Sequence, residues 1–71
     1  MVLSRIDPET EVTLIDIIGG KGIRSKLYSM GLVPGTNLKV LNRNGRGPLM
    51  VAVKGSRLVI GQGIASKILV E

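Results

Sequence analysis

The chain has 71 residues, 44% of them hydrophobic, with no cysteine and no histidine. A chain this short buries only roughly 60% of its unfolded surface, so one domain is the ceiling, and it must fold on an aliphatic core without disulfides or thiolate metal sites. Ten Lys and Arg against five Asp and Glu leave a net charge of +5, and the absence of imidazole and thiol removes the commonest general base, soft metal ligands and nucleophile, which argues against an enzyme.

The mean hydropathy of +0.33 is too apolar for a disordered chain. No run approaches the roughly 18 to 20 apolar residues of a membrane span, and Met1 to Asp7 lack a basic stretch followed by an apolar core. A cytoplasmic location is the expectation. Residues 1–9 read as a short leader in which Pro8 prevents regular pairing, with one domain over 10–71.

Thr10 to Ile17 is rich in β-branched residues and predicts the first strand. Val12, Leu14 and Asp16 share one face and Thr13, Ile15 and Ile17 the other, so the alternation does not settle which face is inward. Gly19-Gly20-Lys21-Gly22 breaks the strand. Ile23, Leu27 and Met30 then stand at i, i+4 and i+7, the apolar stripe of a short helix, with Arg24, Lys26 and Tyr28 off it. Gly31 follows where a left-handed cap favours glycine, Leu32 is placed to fold back on the last turn, and Val33-Pro34-Gly35-Thr36 fits a type II turn.

Leu38 to Leu41 and Leu49 to Val53 predict two strands joined by the basic, turn-rich loop Asn42 to Pro48. Gly55-Ser56 turns the chain into a strand over Arg57 to Ile60. A single helical turn around Ile64 to Ser66 precedes a last strand over Lys67 to Val70. Five short strands favour a barrel, because closure removes the exposed edges such strands present. The expected fold is therefore mainly β: a small five-stranded barrel of the SH3-like type, with one short helix after the first strand and a helical turn before the last.

Four of the five acids precede residue 17 and the fifth is Glu71, while nine Lys and Arg lie between. The folded surface of that segment is expected to be basic and to suit an acidic partner. Arg24, Lys26 and Tyr28 on the outer helix face, with Arg43 and Arg46 in the long loop, are the candidate partner contacts. Leu41, Met50 and Val59 fall on outer strand faces and are candidates for a protein-docking surface. No catalytic residue is proposed. Gly19 to Gly22 does not make a phosphate loop, since Asp16 occupies the position of the first glycine and Gly22 that of the Ser or Thr. Asp7, Glu9 and Glu11 alternate without imidazole or thiolate, so no metal or cofactor site is assigned. Arg43, Arg46, Lys39, Lys54 and Arg57 allow a nucleic-acid-binding barrel as an alternative, but Tyr28 is the only aromatic residue and provides no stacking platform. A structural module that adds strands across an exposed edge is the third alternative.

Leu27-x-x-Met30-Gly31-Leu32-Val33-Pro34-Gly35, the Gly47-Pro48 loop, Leu58-x-Ile60-Gly61 and Ala65-x-x-Ile68-x-Val70 together resemble the ferrous iron transport protein A (FeoA) family. The resemblance runs from about Thr10 to Val70. It implies a domain similar to the SH3-like domain of iron-dependent repressors. The implied role is that of a small cytosolic accessory protein acting on the GTPase-bearing cytosolic region of the ferrous iron transporter FeoB, without membrane insertion. Leu27, Gly31, Leu32, Pro34 and Gly35 carry over as fold determinants, namely core, cap and turn. Ferrous or another transition metal enters by family association alone, as does the alternative of a metal-responsive domain.

Overall fold

A computed structural model describes the whole chain, residues 1–71. The first strand, β1, spans Thr10–Ile17 as expected, and its uneven alternation has a physical cause. Opposite the last strand, β5 (Ile68–Val70), Leu14 pairs with Val70 but Asp16 pairs with Leu69, so Ile15 is an extra residue in a β-bulge. The bulge shifts the phase of the pleat: Val12, Leu14 and Ile17 are buried, and Ile15 is turned to solvent.

The remaining strands are β2 (Asn37–Arg43), β3 (Leu49–Val53) and β4 (Ser56–Ile60). All pairings are antiparallel and the sheet order is β4-β3-β2-β1-β5. A second irregularity, between Val40 and Asn42 on β2, makes Leu41 the extra residue there. Each bulge bends its strand and adds local twist, so the sheet curls around Leu14, Ile17, Val40, Val51, Ile68 and Val70, all of them fully or almost fully buried. The short helix α2 (Gln62–Ala65) links the two edge strands and places Ala65 in the same core.

The helix α1 spans Lys21–Ser29, beginning two residues before the expected stripe. Of Ile23, Leu27 and Met30, only Leu27 is buried, whereas Ile23 is half-buried and Met30 is 38% exposed. Met30 leaves the stripe because it is already the C-cap, at φ −90° and ψ 2°. Gly31 follows at φ +87°, its N–H donating to Tyr28 O (3.0 Å) while Leu32 N–H donates to Leu27 O (3.0 Å). This is the two-bond Schellman closure, and it delivers Leu32, fully buried, to the core. Thr36 N–H donates to Val33 O (3.1 Å) with Gly35 at φ +93°, as the Pro-Gly turn requires. Gly35 N–H donates to Leu14 O and Leu14 N–H to Thr36 O, both 2.8 Å, seating the turn against β1.

Residues 1–9, expected as a leader, instead complete the fold. Leu3–Arg5 form a 3₁₀ turn; Leu3 is 0% exposed and Ile6 is buried with it. Spaced three apart, the two side chains project from one side of the turn and cover the end of the sheet beside β5 and α2. Val2 bridges to Leu69, and Val70 N–H donates to Met1 O (2.8 Å). Pro8 does not interrupt a strand, because β1 begins after it. Glu9, at φ +67°, makes the turn into β1 and donates its N–H to Val40 O (2.6 Å).

Candidate partner interface

The early acids neutralise part of the basic segment in a definite pattern. Asp16 pairs with Arg24 at 3.7 Å, Glu9 with Lys39 at 3.1 Å, and Asp7 with Arg43 at 3.9 Å. Lys21, Lys26, Arg46, Lys54, Arg57 and Lys67 have no carboxylate within 4.0 Å. Exposed pairs are each worth little, so these three orient side chains more than they stabilise the fold. Their effect on the surface is to leave the free positive charge on α1, the loop after β2, the β3–β4 turn, β4 and the residue before β5.

The five expected partner residues separate into three groups. Arg24 and Tyr28 lie with Lys21 and Ser25 around one shallow depression on the outer side of α1. Arg24 is further held by a hydrogen bond from Nε to Gly19 O (3.2 Å). Lys26 lies at a different surface, together with Ile23 and Met30. In the loop after β2, Arg46 is exposed, but Arg43, expected in that loop, is instead the last residue of β2, paired with Leu49, half-buried and donating from Nη1 to Ile6 O (3.2 Å). Arg43 therefore fastens residues 5–7 to β2, a use that no local pattern in the sequence announces. Gln62 Nε2 donates to Gly47 O (3.0 Å) and ties the same loop to the start of α2.

The surface that Lys26 reaches is a groove of about 170 Å³ between α1, the end of β4 and α2, lined by Ile23, Met30, Val59 and Ile64 over the buried Leu27 and Ile60. Its volume is below the roughly 300 Å³ at which small-molecule sites begin. One or two apolar side chains of a partner suit it better. Val59, at 63% exposure, and Met30 are its most open walls. Of the other two strand residues expected at a docking surface, both half-buried, Met50 on β3 pairs across the ladder with Val59 and so lies beside the groove without lining it, while Leu41 is the bulge residue of β2. Met30 was legible only as a core residue, and Ile64 only as part of a helical turn, because the groove depends on how α1 and α2 approach β4.

The residues expected as fold determinants sit where the fold needs them. Leu27 and Leu32 are buried, Gly31 and Gly35 have positive φ, and Thr36 Oγ1 donates to Gly31 O (3.3 Å), binding the cap to the turn. No cluster of three or more Asp or Glu side chains is arranged to hold a metal ion, and Asp7 and Glu9 face basic partners instead. No helix is long and apolar enough to cross a membrane.

Comparison with known proteins agrees with this architecture. The model of the FeoA domain matches residues 1–71. A protein of Methanocaldococcus jannaschii that carries the name Fe(2+) transport protein A is 46% identical over 61 residues, covering 86% of this chain and 73% of that protein. The crystal structure of an iron uptake regulatory protein (FeoA) superposes with a TM-score of 0.94 at 38% identity, covering 100% of this chain and 95% of the other. The zinc-complexed FeoA of Stenotrophomonas maltophilia, described as an SH3 domain protein, shares the fold with a TM-score of 0.85 at 21% identity, covering 100% and 89% of the two chains. The sheet, its short helix and the residues of the cap and turn thus belong to an SH3-like domain, and the chain is a member of the FeoA family of iron transport accessory proteins.

Proposed function

We propose that this protein is a cytosolic, non-enzymatic regulator of ferrous iron uptake that works by binding the cytosolic region of the membrane transporter FeoB. The observation that carries the reading is the apolar groove beside α1, too small for a cofactor and bordered by Lys26, a cation with no ionic partner in the chain. An acidic protein surface with a protruding apolar side chain satisfies both features. Lys26, Arg24 and Tyr28 supply contacts from α1, and Arg46 supplies them from the loop that Gln62 ties to α2. Iron is the cargo of the partner, and no step here routes it through this chain. Family membership and the names of the iron-uptake relatives support the choice of partner.

The test is a calorimetric titration of the full chain against the cytosolic region of the transporter from the same genome, with amide shift mapping. Saturable binding that weakens with salt, and shifts on α1 and the loop, are expected. Reversing Lys26 and Arg46 to Glu is expected to weaken it by about tenfold or more. No binding, or binding only to a short RNA run in parallel, overturns the proposal.

A further inference from the structure

The curled sheet has two edge strands, and they are finished differently. On β5 the chain's own first residues lie alongside: Val2 bridges Leu69, Val70 N–H donates to Met1 O (2.8 Å), and the Met1 ammonium donates to Val70 O (3.2 Å). Beyond β4 there is no strand. Lys54 and Gly55, at φ +49° and +80°, form the two-residue turn of a primed hairpin, whose closing pair is Val53 and Ser56. In a two-residue loop the closing pair is the one hydrogen-bonded in both directions. Alternation along the ladder then aims the N–H and C=O of Leu58 and Ile60 at β3, and those of Arg57 and Val59 outward. Outside the ladder, no backbone hydrogen bond reaches Arg57 or Val59.

We infer that the β4 edge takes up an extended, acidic and apolar segment of another protein as an added strand. Charge selects the occupant. Residues 17–70 contain no carboxylate side chain, and Lys54, Arg57 and Lys26 around this edge have no ionic partner in the chain. A second copy would bring another Arg57 and Lys54 to the same edge, setting cation against cation, whereas an acidic strand converts the same positions to attraction. Edge protection alone would account for Arg57 and Lys54. It does not account for Val59, an exposed valine between the bare edge and the apolar groove.

Spacing defines what the segment looks like. Arg57 and Val59 are two apart and share a face, so the incoming strand carries an Asp or Glu beside Arg57 and, two residues away, a Val, Ile, Leu or Met beside Val59. That apolar side chain reaches the groove between Ile23, Met30 and Ile64. Main-chain bonds supply the affinity and the two side chains the selectivity, as in other strand-addition complexes. The inference is independent of the transporter, since it describes the chemistry the edge accepts whichever protein presents it.

The experiment titrates the full, isotope-labelled chain with a synthetic Ser/Thr peptide of about six residues, the usual strand length, carrying one Asp-Thr-Ile triplet and blocked at both ends. Expected are shifts over Arg57 to Gly61 and on Ile23, Lys26 and Met30, and exchange of the Arg57 and Val59 amides slowed by about tenfold or more at saturation. N-methylation of the peptide at alternate residues is expected to abolish binding at one set of positions only. Arg57→Glu weakens binding by about tenfold or more, and Val59→Pro, which removes an outward N–H and no ladder bond, abolishes it. Circular dichroism checks that Val59→Pro is folded, and Arg57→Glu tests the edge independently of it. Binding that leaves the Arg57 and Val59 amides exchanging as before, or no binding at millimolar peptide, overturns the inference. Concentration-dependent protection of these amides without peptide overturns it in favour of a second copy.

Discussion

Residues Met1 to Ile6 and residues Ser56 to Ile60 occupy equivalent places in the topology, each lying at an outer margin of one curled sheet. The first segment is apolar on one side and spends it inward, burying Leu3 and Ile6 while its backbone occupies the β5 edge. The second buries Ile60 but turns Val59 and Arg57 outward and leaves their backbone groups to solvent. A small barrel with both margins covered would be more stable and less able to bind. In this chain stability is concentrated at one margin and the capacity for recognition at the other.

Breaking the covered margin has the largest expected effect. Leu3→Ala removes a fully buried side chain and is expected to cost about 2–5 kcal/mol, read as a lower urea midpoint with little change in slope. Because small domains have only about 5 kcal/mol or somewhat more in total, the variant should be partly unfolded at 37 °C. An unchanged midpoint would return residues 1–9 to the status of a leader. Arg43→Ala removes the bond to Ile6 O and the pairing with Asp7, and a loss of about 1 kcal/mol is expected, near the usual worth of one such bond. Faster amide exchange in residues 3–6 should accompany it. On the open margin, Lys54 holds a left-handed conformation that Asn tolerates better. Lys54→Asn is therefore expected to raise stability by about 0.5 kcal/mol, measured by the same denaturation.

The contrast also explains what could be read from sequence. The β1 strand, the Gly31 cap and the Pro34-Gly35 turn were legible because their chemistry is local: positive φ, a fixed proline φ and β-branched side chains act within a few residues. The burial of Leu3 and Ile6 was not, although their spacing of three was visible, since a single turn has too few residues to show a period and its contacts lie at the other end of the chain. Met30 was placed in the core by a helical period that the C-cap had already ended. The bulge at Ile15 left a trace in the sequence only as alternation that failed to choose a face, and the bulge at Leu41 left none. Among the candidate partner residues, Arg24, Lys26, Tyr28 and Arg46 keep exposed or half-exposed side chains. Arg43 is diverted to Ile6, and although Val59 was legible as an outer-face strand residue, the groove it forms with Met30 and Ile64 comes from tertiary packing.

Native-state amide hydrogen exchange on the free protein tests the difference between the two margins most directly. The Val70 amide, bonded to Met1 O, is expected to exchange with protection close to that of global unfolding, while Arg57 and Val59 exchange near solvent rates at every protein concentration. Equal protection of Val70, Arg57 and Val59, or a fast Val70 amide, would contradict the division between a sealed edge and an open one.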